Sequence, residues 1–202
     1  MIPIEDFWKA AGFFQFDQAS SESPPSHALD SSIFSESPNM PRPLQTLANS
    51  AGSLLKERGE TVAVAESSTG GLISAALLAV PGASAYFVGG SVVYTAPARD
   101  LYLGIDLDNH PGMRSASEPY ALLLAKTSRE KLETVWGLSE TGAAGPTGNR
   151  YGDDAGHTCI AISSATKESV QTLETGISDR KANMQTFAEK ALQHFERYLR
   201  NT

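Results

Sequence analysis

The chain has 202 residues, 41% hydrophobic and 19% charged, with 16 basic against 23 acidic side chains and a net charge of −7; that suits one domain, or one domain with an appendage, with enough apolar residues for a core. An acidic chain with no basic stripe is a poor partner for a phosphate backbone, so no nucleic-acid partner is expected. Cys159 is the single cysteine, which excludes a disulfide framework and the Cys-rich zinc classes, and no apolar run approaches the roughly 18 residues of a membrane span, so no membrane partner is expected either.

Residues 1–42 read as a different kind of sequence. They hold eight serines, five prolines and six acids (Glu5, Asp6, Asp17, Glu22, Asp30, Glu36) against Lys9 and Arg42, a net of −4. From Ala19 to Arg42 there is no apolar periodicity, and disorder is expected because too little apolar area is available to offset chain entropy. Ile4 to Phe16 is richer, with Phe7, Trp8, Phe13, Phe14 and Phe16 close together. A strap packed on the domain, a docking peptide for a protein partner and simple disorder all fit residues 4–16. A secretory signal needs a basic start and a continuous apolar stretch, and a mitochondrial presequence is Arg-rich. This segment has Glu5, Asp6 and no arginine before Arg42, so a cytoplasmic location is expected.

From Pro43 the pattern becomes that of an α/β domain, 43–202. Leu44, Leu47, Ala48, Ala51, Leu54 and Leu55 recur at helical spacing and Gly59 follows as a stop. Thr61–Ala65 is short, apolar and partly β-branched, as a buried strand is. Gly70-Gly71 opens an apolar helix, Leu72–Val80, ended by Pro81-Gly82. Tyr86–Tyr94 reads as a strand interrupted by Gly89-Gly90, and Pro97 suits the first turn of a short helix through Leu103. A helix is predicted from Ser117 to about Trp136, then a brief strand Leu138–Thr141. Gly156–Ser163 and Val170–Gly176 read as two strands joined by a turn at Lys167-Glu168. Asp179 caps a last helix whose stripe is Met184, Phe187, Ala188, Ala191, Leu192, Phe195 and Leu199, with His194 on its polar side. Helices interleaved with buried strands predict a three-layer α/β/α sandwich with a mixed, mostly parallel sheet, the last two strands antiparallel.

Two small-residue loops carry the candidate chemistry. Glu66-Ser67-Ser68-Thr69-Gly70-Gly71 follows a strand and leads into a helix. Backbone N–H groups there could surround an anion, and a serine stands at the carboxyl end of a strand, where α/β sheets keep their ligand sites; plain N-capping explains the same residues equally well. Thr141-Gly-Ala-Ala-Gly-Pro-Thr-Gly148 also follows a strand. Its small residues would let a ligand approach the backbone, with Arg150 to neutralise phosphate or carboxylate. Asp153, Asp154 and His157 look like metal ligands only superficially, having no fourth partner, and no metal is expected. His157 alone among the histidines borders a candidate site.

Residues 61–71, Thr-Val-Ala-Val-Ala-Glu-Ser-Ser-Thr-Gly-Gly, resemble the signature of the CinA carboxy-terminal domain family, which includes the stand-alone nicotinamide-nucleotide amidases. Ser68 stands where that family usually has Cys. The resemblance continues through Val80–Phe87 and Gly90–Tyr94, resumes at Thr141-Gly-Ala-Ala-Gly-Pro146, where the family often has Ser-Gly-Ile-Ala-Gly-Pro, and includes Ser178-Asp179-Arg180 for its Gly-Asp-Arg. It implies a compact α/β/α fold without a cofactor, and hydrolysis of nicotinamide mononucleotide to nicotinic acid mononucleotide and ammonia. The family's nucleophile falls on Ser67 and its tyrosine on Tyr94. Its lysine base falls on Arg99, and arginine stays protonated at any accessible pH, so Arg99 can clamp or stabilise an anion but cannot take a proton. Met184 stands where the family often has Arg. The implied catalytic set is therefore Ser67, Tyr94 and Arg99. Glu66, Ser68, Thr69, Gly70, Gly71, Thr141, Gly142, Gly145, Arg150 and Arg180 would bind a small-molecule mononucleotide. An amidase with Tyr94 or His157 as base, a nucleotide-binding module without chemistry, and a hydrolase of another small amide or phosphorylated ligand all stay open. A homodimer is expected, since oligomers are common among compact α/β enzymes.

Overall fold

The computed structural model describes residues 42–202; the 1–42 segment, apart from Arg42, and its Phe7–Phe16 cluster lie outside the described residues. Helix α1 (Leu44–Arg58) buries Leu47, Ala48, Ala51, Gly52 and Leu55, one stripe at 3–4-residue spacing. Gly59 ends it at φ 62°, a left-handed conformation that glycine adopts without a Cβ clash. Strand β1 (Val62–Glu66) is buried at all five positions. Helix α2 (Leu72–Leu78), strand β2 (Phe87–Val92) and helix α3 (Ala96–Leu103) follow, α3 with Pro97 in its first turn and the Thr95 hydroxyl accepting from Ala98 N–H.

Helix α4 (Glu118–Lys131) stops before the predicted end, and Trp136 instead begins strand β3 (Trp136–Ala143), which extends past the predicted Leu138–Thr141 at both ends. Strand β4 (His157–Ser163) is wholly buried. Strand β5 (Glu168–Glu174) alternates exposed and half-buried residues, as an outer strand with one face on the core does. Helix α5 (Arg180–Arg200) closes the fold, its Asp179 cap accepting from Ala182 N–H at 2.8 Å.

The sheet order is β2-β1-β3-β4-β5. β1 runs parallel to β2 and β3, whereas β3–β4 and β4–β5 are antiparallel. The mixed sheet and three layers match expectation, with one correction: the pairings divide evenly instead of being mostly parallel, because β3, β4 and β5 form a meander without crossover helices. Helices α1, α2 and α5 cover one face around Val62, Val64, Trp136, Leu138, Ile160 and Ile162. Helix α4 covers the other, with Ala121 and Ala125 against Cys159 and Ala161, and Tyr120 and Leu124 near Ala65, Val93 and Leu103. Phe187 and Phe195 are wholly buried, each worth about 1.5–3 kcal/mol of hydrophobic stabilisation. His194 is a second correction. It is 9% exposed and its ring bonds the Ser169 hydroxyl on β5 at 3.0 Å; burial, then the charge of Arg197, lower its pKa to about 4. Among the described residues, no helix is long and apolar enough to cross a membrane.

Candidate functional site

β1 leaves toward β2 on one side and has β3 on the other. The two small-residue loops therefore leave adjacent parallel strands at one end of the sheet, the crevice position of open α/β folds. In the first loop Glu66 is fully buried and faces inward. Its carboxylate accepts from the backbone N–H of Gly71, Ile73 and Ser74, at 2.8–3.0 Å, and from the Ser74 hydroxyl at 2.6 Å. Those are the amides that would have met a ligand anion, so the expected anion cradle is already filled by the protein's own carboxylate.

Glu140, one position of the predicted short strand, is the second buried carboxylate. It accepts from Ser68 Oγ, Thr69 N and Oγ1 (both 2.9 Å), Thr158 Oγ1 (3.0 Å) and Ser67 N (3.3 Å). Burial raises its pKa, against the lowering effect of these hydrogen bonds. The signal available in the sequence was an acidic residue inside an otherwise uncharged, buried strand, since such residues are almost never fully buried unless partnered.

Ser67 lies half-buried at the rim of this structure. Its amide donates to the Glu140 carbonyl at 3.1 Å, and its hydroxyl has no hydrogen-bond partner among the described residues. Ser68 and Thr69 are buried with their side chains turned to Glu140. Gly70 and Gly71 have φ of 65° and 102°, and a Cβ on Gly70 would lie 3.1 Å from Met184 Cε, which brings α5 over the loop.

Arg180 joins the ends of β2 and β3. It donates to the Tyr94 hydroxyl at 3.1 Å and to the Gly145 carbonyl at 2.9 Å, with its guanidinium carbon 5.7 Å from the centre of the Tyr94 ring. Tyr94 is 58% exposed. Beside these residues lies an open groove of about 580 Å³ lined by Leu72, Asp179, Lys181, Ala182, Met184 and Gln185. Ser67, Tyr94, Gly145 and Arg180 thus converge on one end of the sheet.

Arg99 is placed differently. It is 6% exposed and its Nε donates to Asp100 Oδ1 and the Ile105 carbonyl, both at 2.8 Å. Its guanidinium also interacts with Tyr120. These contacts hold the turn after α3. Arg150 is exposed and stacks over Tyr151 at 5.2 Å. Thr141 is buried, its hydroxyl accepting from Ala116 N–H at 3.3 Å.

Gly142 and Gly145 make room for the protein's own chain. A Cβ on Gly142 would stand 2.8 Å from Thr158 Cα, and one on Gly145, at φ 106°, 3.3 Å from the carbonyl carbon of Ser178. Asn183, another residue unmarked in the sequence reading, fastens this loop to α5 by donating to the carbonyls of Ala144 (2.8 Å) and Ile177 (2.7 Å). His157 lies at the far end of the loop. Its Nδ1 donates to Glu174 and its Nε2 to the Ala116 carbonyl at 3.0 Å, so it is not available to Ser67 as a base. Among the described residues, no group of three or more His, Cys, Asp or Glu side chains is arranged to hold a metal ion.

A three-layer α/β sandwich with a serine-bearing turn at the carboxyl end of its first strand defines the class. Residues 44–199 match the CinA C-terminal domain, and the chain belongs to that family. A CinA-like protein of Chlorobium limicola is 35% identical over 158 residues, covering 76% of this chain and 37% of its own length; the chain thus spans little more than a third of that relative. A CinA superfamily protein of Klebsiella pneumoniae superposes with a TM-score of 0.75 at 22% identity, covering 80% of this chain and all of that one. A competence/damage-inducible protein of Agrobacterium tumefaciens gives 0.72 at 26% identity over 78% of this chain and 95% of its own.

Proposed function

We propose that the chain is an amidohydrolase of the nicotinamide-nucleotide type, releasing ammonia from nicotinamide mononucleotide, with Ser67 as nucleophile. The observation that carries this reading is the Ser67 hydroxyl, half-exposed and without a hydrogen-bond partner among the described residues, at the same end of the sheet as the Tyr94–Arg180 pair. Ser67 Oγ attacks the carboxamide carbon and its proton passes to a neighbouring base; the base returns that proton to the amide nitrogen as the tetrahedral intermediate collapses to an acyl ester and ammonia, and water hydrolyses the ester to the acid and free Ser67. Tyr94 is the base we assign, because its hydroxyl, held by Arg180 at 3.1 Å, stands at the end of β2 next to the end of β1 that carries Ser67. Arg99 and His157 are committed elsewhere. Among the described residues Arg180 meets only neutral acceptors, Tyr94 and Gly145, so its charge is available to the substrate phosphate, with Lys181 beside it on the groove.

The experiment is ammonia release from nicotinamide mononucleotide by the purified chain and by Ser67→Ala. Release by the first and not the second is expected. Calorimetric binding without release would replace the amidase by a nucleotide-binding module. Arg99→Lys is expected to lower stability by about 1–2 kcal/mol, through loss of the buried fork, without raising the rate. A tenfold gain in rate would return position 99 to the reacting centre.

A further inference from the structure

Of the amides from Ser67 to Ser74, all but one are taken. Ser67 and Thr69 donate to Glu140, Gly70 to the Ser67 carbonyl at 3.2 Å and Leu72 to the Thr69 carbonyl at 3.4 Å. Gly71, Ile73 and Ser74 donate to Glu66. The amide of Ser68 alone has no acceptor among the described residues. It is the amide that follows the nucleophile, the position that supplies an oxyanion donor in other serine hydrolases.

We infer that Glu140 is a positioning residue that holds the Ser67–Thr69 turn so that the Ser67 hydroxyl and the Ser68 amide face one reacting carbonyl. This rests on Ser67 being the nucleophile. Three consecutive residues of the turn are tied to one carboxylate, Ser67 by its amide, Ser68 by its hydroxyl and Thr69 by both. Thr158 of β4 steadies that carboxylate from the neighbouring strand. A carboxylate offers about four lone-pair sites, and five donor groups fill them, so the buried group is satisfied only with its two oxygens kept as acceptors. Its charge opposes a developing oxyanion nearby, so whatever it contributes to reaction is geometric. The serine at position 68 acquires a reason as well: a hydroxyl donates well to a carboxylate, whereas a thiol is a weak donor.

The test is labelling of Ser67 by a fluorophosphonate probe, whose phosphoryl oxygen needs the same donor, with maximal rate and probe affinity measured separately and the labelled residue located by mass spectrometry. In Glu140→Gln one acceptor oxygen becomes an NH₂ facing donors. The maximal rate is expected to fall about tenfold or more at unchanged affinity, as misplacement of a reacting group does. Thr158→Val guards against a Glu140→Gln chain that does not fold. It is near-isosteric, and among the described residues its hydroxyl bonds Glu140 and the Thr141 carbonyl but no residue of the turn; it is expected to slow labelling about threefold or more, again at unchanged affinity. A folded Glu140→Gln that labels at the original rate overturns the inference, and so does a Thr158→Val at the original rate if the first variant does not fold. Absence of Ser67 labelling in the unmodified chain would instead overturn Ser67 as nucleophile, and this inference with it.

Discussion

The loops after β1 and after β3 have similar composition and opposite construction. The loop 66–71 is organised around anions from within: two buried carboxylates, Glu66 and Glu140, collect nearly every donor it has. The loop 141–157 is organised around missing side chains. Gly142 lies against β4, Gly145 against Ser178 and Gly148 against Asp153, while Asn183 and the Arg114–Asp153 pair tie it down from outside. Small residues at a strand end therefore carry two meanings, a turn that wraps an internal ligand or a path where backbone meets backbone.

Substitutions can break the comparison in order of expected effect. Gly142→Ala forces a Cβ onto the β4 backbone, which cannot yield as a side chain can. A loss of about 3–5 kcal/mol, or failure to fold, is expected in urea denaturation. A loss below 1 kcal/mol would show that β4 gives way and that close backbone approach does not define this loop.

Glu66→Ala leaves three amides without an acceptor and should cost about 3 kcal/mol, with Glu66→Gln costing less because one oxygen remains. The same measurement checks it, and equal losses for both variants would mean that the charge matters rather than the count of acceptors. Asp153→Ala removes the partner of Arg114, whose bond is 2.9 Å at Nη2, and the acceptor of Asn149 Nδ2 at 2.8 Å. About 1–2 kcal/mol is expected, together with faster amide exchange confined to the 144–156 stretch. Exchange that quickened equally in the 66–71 turn would show the two loops to be one unit.

The smallest effect is a pH dependence. Burial by itself lowers the His157 pKa, but its hydrogen bonds to Glu174 and the Ala116 carbonyl and the charges of Glu174 and Asp153 outweigh it, so the net direction is up. A raised folded pKa gives stabilisation that is fully present below the ordinary value near 6.5 and lost as pH rises through the folded value. Since the Glu174 side chain is 59% exposed, less than about 1 kcal/mol is expected between pH 6 and pH 9. His157→Gln should flatten that slope; an unchanged slope would assign it to another group.

The amino-acid pattern by itself determined the order of helices and strands, the buried β1 and the apolar stripe of α5, because hydrophobic period, proline and glycine are local signals. The resemblance of three short motifs implies one site for Ser67, Tyr94 and Arg180, of which the structure joins Tyr94 and Arg180 directly. Helix α4 ends short of Trp136 because Leu132 and Val135 are exposed, 41% and 42%, and Glu133 at φ 51° turns the chain into β3. The polar face of α5 that carries His194 meets β5. Only the tertiary structure decided what fills the loops. Glu140 reaches Ser68 and Thr69 across 72 and 71 residues of sequence, and Asn183 reaches Ala144 across 39. A buried polar group takes its meaning from the donors that surround it, and those donors arrive from other strands and helices, so no local pattern records them.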